Sequence, residues 1–264
     1  MNSYVQLPEN YLQIPEQLNI AGHIVDRHVA EERGDVVAIY FEDEQITYGD
    51  LQARVNQFGN ALAKLGIGRG DHFIIRSHNY PEYLITLLGG MKIGAVPIPS
   101  NSLFRSTELE HIINNSESLA VFTTAQLLEP ILQVREKCPA LQHIILFDAE
   151  SADYQTFNQL VEGASTELSA APTSKEDPSF MIYTSGTTGE PKGVQHAQRW
   201  IIGTGDPLAH VLMQLKPGDV TFQPQEISFI YPLGCNGLYP LHAGCSLVLQ
   251  AGRFTPEIAL EYIQ

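Results

Sequence analysis

The feature that most constrains this chain is an alternation of two patterns. Short runs of β-branched and aromatic residues return again and again between longer segments whose apolar residues recur every three or four positions. Val36–Phe41, Phe73–Ile75, Ala95–Pro99, Leu119–Phe122 and His143–Phe147 read as strands, and their continuous apolar character is that of strands covered on both faces. Between them, Thr47 caps a helix with Leu51, Val55, Phe58, Leu62 and Leu65 on one face, and Gly66 stops it. Asn19 caps an earlier helix bearing Ile20, Ile24, Val25 and Val29. Asn79 as cap and Pro81 as first residue open a helix that ends at Gly94, Thr107 with Glu110 forms a capping box for a helix to Ser116, and Gln126–Lys137 is helical. Strands and helices that alternate with short turns predict an α/β fold of parallel sheets covered by helices.

Residues 149–178 change character. They are rich in Ser, Ala, Thr and acidic residues, and a short helix at Phe157–Val161 interrupts what otherwise reads as a connection. The expected division is a first α/β subdomain over 1–175 and the start of a second over 176–264. The second holds strands at 179–183, Val220–Phe222 and Ser246–Gln250. Its helices are expected near His196–Ile202, with His196 as the cap, and near Asn236–Ala243. An amphipathic helix, Pro256–Gln264, follows with no C-terminal cap, which reads as part of a longer chain.

One stretch concentrates chemistry. Tyr183-Thr-Ser-Gly-Thr-Thr-Gly-Glu-Pro-Lys-Gly193 follows a strand and combines glycines, hydroxyls and a single lysine. Glycines let successive backbone N–H groups converge on an anion, hydroxyls add donors, and the lysine brings a mobile positive charge. A Gly/Ser/Thr cluster is more often a plain polar connection, and only the ordered string argues otherwise. It is not a Walker A loop, because Pro191 stands where the second glycine belongs, and Leu208 breaks the dinucleotide pattern begun by Gly203 and Gly205. A loop this poor in apolar area is expected to be mobile over 185–190 without ligand.

Thirty acidic against fifteen basic residues leave a net charge of −15, which argues against nucleic acid or an anionic membrane as partner. Cys138, Cys235 and Cys245 show neither zinc-ligand nor disulfide spacing; Cys235 and Cys245 lie near the pocket segment but read rather as small buried hydrophobes. His23, His28, His78 and His111 likewise show no ligand spacing, so no metal ligand is expected in the chain. No signal peptide is read at the N-terminus, and the apolar window Tyr83–Pro99 is too short for a bilayer, so a cytoplasmic protein is expected.

The string Tyr183–Gly193 resembles the phosphate-binding signature of the adenylate-forming (AMP-binding) superfamily, which includes acyl- and aryl-CoA ligases, luciferases and peptide-synthetase adenylation domains. The likeness runs through essentially the whole chain. Gly89–Pro99 is similar to a second recurrent segment of that family, mainly structural in role. The resemblance implies ATP-dependent activation of a carboxylic acid as an acyl adenylate, then transfer to a thiol, either CoA or that of a carrier protein. ATP, Mg2+ and coenzyme A are the implied cofactors. Lys192 is implied as the catalytic charge partner of the β- and γ-phosphates, with Thr184, Ser185, Gly186, Thr187, Thr188 and Gly189 binding the nucleotide. Ile227–Gly234 lies where the family lines its acyl pocket, which implies Phe229, Tyr231 and Gly234 as pocket residues, although an aromatic such as Tyr231 is as readily plain core. No acidic residue follows Phe229, which disfavours an α-amino acid, and Phe-Ile-Tyr-Pro-Leu-Gly looks most like benzoate and aminobenzoate CoA ligases. The family's later segments are expected beyond residue 264, and this chain alone is expected to be inactive. A non-catalytic interaction domain on the same scaffold and a fatty-acid ligase are the competing readings.

Overall fold

The structure is a computed structural model that describes residues 13–148, 153–184, 189–252 and 255–263. A first helix, α1, runs through Gly22–Asp26 and Arg27–Ala30. The hairpin β1 (Val37–Phe41) and β2 (Glu44–Thr47) leads into the long α2 (Tyr48–Lys64). Then β3 (His72–Arg76), α3 (Pro81–Lys92), β4 (Val96–Pro99), α4 (Ser106–Ser116), β5 (Ala120–Thr123), α5 (Glu129–Leu132), β6 (His143–Leu146) and β7 (Gln155–Thr156) follow. Strands β4-β3-β5-β6-β7 form a five-stranded sheet whose neighbours all pair in parallel. This is the parallel α/β architecture that the alternation predicts.

The later chain adds α6 (Phe157–Val161), the antiparallel hairpin β8 (Pro178–Thr184) and β9 (Lys192–Ala197), then β10 (Val220–Phe222), α7 (Ile230–Leu233), α8 (Tyr239–Ala243), β11 (Ser246–Leu249) and α9 (Pro256–Ile263). Strand β11 pairs in parallel with both β10 and β1, so a second sheet runs β10-β11-β1-β2. Its registers, such as Ile39 opposite Leu247, join strands from both sides of residue 175. Hairpin β8–β9 lies along β4, beside the edge of the five-stranded sheet.

Local signals explain most of these elements. Thr47 and Asp50 form a reciprocal capping box at the start of α2, and Gly66 leaves its end at φ 79°. Leu51, Val55, Phe58 and Leu62 of α2 are fully buried, each contributing about 1.5–3 kcal/mol of transfer free energy. Phe58 meets Phe73, Phe122 and Phe157 with ring centroids 6.4, 5.2 and 5.5 Å apart, the aromatic centre of the larger core. A Cβ on Gly89 would stand 2.6 Å from Phe58 and 3.0 Å from the Val55 carbonyl, so glycine there permits the close α2–α3 approach.

Four sequence expectations are corrected. Tyr80, not Asn79, is the cap of α3, and the Asn79 amide is spent on the backbone of Gln225 and Ile227. At α4 it is Glu108 that accepts from the Arg105 N–H, leaving Thr107 inside the helix. The stretch 126–137 breaks into a short α5 between two 3-10 turns, with Pro130 in its first turn. The predicted helix at 196–202 is instead the end of β9, because His196 pairs across to Phe180 and helical turns begin only at Ile201.

Two buried cations organise the loops. Lys92 is 1% exposed, and its ammonium donates to the Asp26 carboxylate at 2.6 Å and to Asn56, which ties α3 to α1 and α2. Arg76 is equally buried and donates to the carbonyls of Asn101, Ser102 and Phe104 at 2.5–2.8 Å, fixing the crossing between β4 and α4. Burial lowers its pKa to about 10, so it stays charged at neutral pH. Asp26→Ala strands the Lys92 charge and should cost about 3–5 kcal/mol in urea unfolding, whereas Asp26→Ala combined with Lys92→Met should recover much of that loss. Equal loss in the single and double variants would show that the pair is not the source.

Candidate functional site

The phosphate-type loop spans the tip of the β8–β9 hairpin. Thr184, the last residue of β8, pairs with Lys192, the first of β9, and both side chains are exposed. Lys192 therefore starts a strand rather than riding inside the loop, and no ion pair engages it among the described residues. Gly189 sits at φ 155° with open space around it. Ser185, Gly186, Thr187 and Thr188 lie outside the described residues, and the expectation of a mobile loop at 185–190 falls largely on them. The C-terminal stem of the loop is held by α4. His111 Nε2 donates to the Pro191 carbonyl at 2.9 Å while its Nδ1 faces the Glu190 carboxylate at 3.2 Å. On the other strand, the Tyr183 hydroxyl donates to Asn115 at 2.6 Å.

An aromatic chain runs from this hairpin to an apolar cavity. Phe180 stacks on its cross-strand partner His196 at 4.5 Å, and Trp200 packs edge-on to both, at 5.2 and 5.8 Å. Burial lowers the His196 pKa and so favours a neutral ring, the form that suits such a stack. Trp200 then stacks on Tyr239 at 5.3 Å, and these two rings form one wall of a cavity of about 650 Å³. Leu208, Met213 and Phe222 make its apolar lining, Thr204, Thr221 and Gln223 bring polar groups, and Tyr231 and Cys235 close another side.

Tyr231 also lines a second, smaller cavity with Phe229, Ser102, Leu103 and Glu226. Of the expected pocket residues, Tyr231 thus stands between two cavities and Phe229 faces the smaller one. Gly234 lines neither. A Cβ there would fall 2.6 Å from the Tyr239 ring, so glycine is what lets that ring form the cavity wall.

The segment carrying Phe229 and Tyr231 is anchored from below. Ser102, positioned by Arg76 through its carbonyl, donates its hydroxyl to both Glu226 oxygens at 2.7 and 2.8 Å. His78 Nδ1 meets the same carboxylate at 2.9 Å. The hydrogen bond to Glu226 raises the His78 pKa above its ordinary 6.5. Burial by itself would raise the Glu226 carboxyl, but the bonds from His78 and Ser102 outweigh it and hold it below its ordinary 4.5. The His78 contribution is complete below pH 6.5 and fades as pH rises through its raised value, while that of Glu226 fades as pH falls below 4.5. The stability difference between wild type and His78→Asn should therefore be about 1 kcal/mol near pH 6 and shrink toward pH 9 in parallel unfolding titrations. A pH-independent difference would count against the ion pair.

Comparison with known proteins matches the model of the AMP-binding enzyme family to residues 26–264. The chain belongs to that family. It is 31% identical to the benzoate–CoA ligase of Thauera aromatica over 255 residues, which cover 96% of this chain and 48% of that one. It is equally similar, at 31% over 249 residues, to an acetyl-coenzyme A synthetase of Bacillus subtilis, covering 91% of this chain and 43% of the relative. Among solved structures, the anthranilate CoA ligase AuaEII in complex with anthranoyl-AMP superposes with a TM-score of 0.89 at 27% identity, over 96% of this chain and 48% of that chain. The chain spans about half the length of the curated relatives it matches. No described helix is long and apolar enough to cross a membrane.

Within this AMP-binding chain, sequence reasoning missed Trp200, Tyr239 and the His111 contact. Trp200 was the findable one, being the only tryptophan and lying just past the loop. All three cysteines are free, and Cys235 lies at the cavity rather than in the core. Because Trp200 is the sole tryptophan, its emission reports on the cavity wall. Gly234→Ala should push the Tyr239 ring aside, shift Trp200 emission and cost about 1–3 kcal/mol. Unchanged emission would show that the wall does not depend on this glycine.

Proposed function

We propose that this chain is the N-terminal portion of an ATP-dependent carboxylate–CoA ligase acting on an aryl or cyclic acid. In this reading the acid's carboxylate oxygen attacks the α-phosphorus of ATP, the bond to pyrophosphate breaks, and an acyl adenylate forms. The thiol of CoA then attacks the acyl carbon and AMP leaves. The observation that carries the reading is the aromatic chain Phe180–His196–Trp200–Tyr239, which joins a hairpin bearing the Ser/Thr/Gly loop to the wall of an apolar cavity. Adenylation requires a phosphate-binding group and an acid pocket held in fixed relation, since positioning supplies much of the rate.

The size of the cavity bears on the acid. About 650 Å³ faced by Trp200, Tyr231, Phe222 and Tyr239 is far more than an acetyl group needs and suits a ring that stacks. That favours the aryl relatives over the acetyl-CoA synthetases as a guide to substrate. Mg2+ enters this reading with the nucleotide phosphates, because among the described loop residues the one carboxylate, Glu190, already faces His111.

Lys192 is the charge partner for the leaving pyrophosphate. Negative charge grows there as the α-phosphate bond breaks, so a nearby cation binds the transition state more tightly than the ground state. Lys192→Ala in the full-length protein should slow the adenylation half-reaction on the order of a hundredfold, about 3 kcal/mol, and leave thioester formation from pre-made acyl adenylate nearly untouched. Equal loss in both half-reactions, or none, would remove Lys192 from this role. No acid-dependent exchange of pyrophosphate into ATP by the full-length wild type would favour a non-catalytic domain on this scaffold.

A further inference from the structure

Behind the cavity wall lies a cluster of histidines and one aspartate that the adenylation reading does not use. Asp206 and His210 are one turn apart on the π-helical stretch that includes Pro207–Leu212, and His242 reaches them from α8. One ligand atom from each of the three lies within 4.8 Å of the other two. His242 is 3% exposed, with Nε2 donating to the Asp206 carboxylate, while His210 Nε2 stands 4.0 Å from the same oxygen, too far for a hydrogen bond.

We propose that Asp206, His210 and His242 form a binding site for a divalent transition metal of the zinc class, which clamps the helical wall of the cavity to α8.

The donor set selects the ion. Two imidazoles and one carboxylate suit Zn2+, Co2+ or Ni2+, whereas Mg2+ and Ca2+ favour oxygen ligands. Ligand atoms around a tetrahedral zinc are roughly 3.3 Å apart, so the present spacing closes by small side-chain rotations. His210 is nearly half exposed, which leaves an entry path and room for a water as fourth ligand.

The far edge of the His242 ring is compatible with binding through Nε2. The buried Nδ1 of His242 has no hydrogen-bond partner among the described residues, and neither does Nε2 of His23, whose ring stacks on His242 at 5.1 Å. Nδ1 lies on the ring edge opposite Nε2, so it is free to hold the ring proton when Nε2 turns to a metal. One cation lies nearby. The Arg27 guanidinium itself is turned to the His242 carbonyl at 2.6 Å.

The consequence is mechanical rather than catalytic. Leu208 and Leu212 of the metal-bearing stretch and Tyr239 of α8 all line the apolar cavity, so a metal bridging the two elements would fix the distance between its walls. It would bind His242 through Nε2, with the ring proton that now goes to Asp206 moved to Nδ1.

The test uses the tag-free chain, stripped with chelator and titrated with Co2+ or Zn2+ alone. One equivalent of Co2+ should give the visible absorption of a four-coordinate site, and one equivalent of Zn2+ should raise the melting temperature. Asp206→Asn is isosteric and His210→Ala removes a half-exposed ring, so both variants should fold, and each should weaken binding at least tenfold. His143→Ala, on the distant β6, should bind as wild type does. Absence of one-equivalent binding in wild type, or binding that persists unchanged in both variants, overturns the assignment.

Discussion

The Lys92 ammonium is almost wholly withdrawn from water, and the fold depends on its being met. Asp26 and Asn56 reach it from α1 and α2, so a single charge draws together three helices whose apolar faces also pack against one another. Desolvating an ammonium is expensive, and the attraction to one carboxylate roughly balances rather than exceeds that cost. What the arrangement supplies is specificity, because any helix placement that separates these groups leaves a buried charge without a partner.

Arg76 plays the corresponding part nearer the cavities. Its partners are carbonyls rather than carboxylates, so it restrains backbone, and the crossing it restrains presents Ser102 to Glu226. Glu226 in turn sits at the base of the segment bearing Phe229 and Tyr231, while Asn79 holds the same segment through Gln225 and Ile227. A floor built from β3 and its following turn therefore positions a pocket wall that lies far along the sequence. The opposite wall hangs from β9 through Trp200. Both walls come from the late chain, and β1 pairs with β11 to join the early and late chain in one sheet.

The candidate phosphate site follows the same logic on a smaller scale. Pairing of Thr184 with Lys192 makes the loop a closed hairpin tip, with ends fixed a strand-spacing apart. His111 and Asn115 dock that hairpin on α4. Both ends of the loop are thus fixed by the fold.

By itself the sequence determined the fold class, most strand positions and the composition of the loop. These are local matters: apolar periodicity, capping at Thr47, the Gly66 stop, and a string of glycines and hydroxyls beside a lysine. It misread Asn79 as a helix cap and His196 as the start of a helix, because both have a partner from another element. Asn79 is claimed by a backbone almost 150 residues away, at Ile227, and His196 by Phe180 across the hairpin. The cavity wall at Trp200 and Tyr239, and the meeting of Asp206, His210 and His242, are likewise products of tertiary structure. The chain shows only fragments of them, the single Trp200 and the one-turn spacing of Asp206 and His210, and not their distant partners. A strand or helix is written in neighbours a few positions apart, whereas a cavity and a ligand cluster exist only once the sheets have set which distant residues face each other.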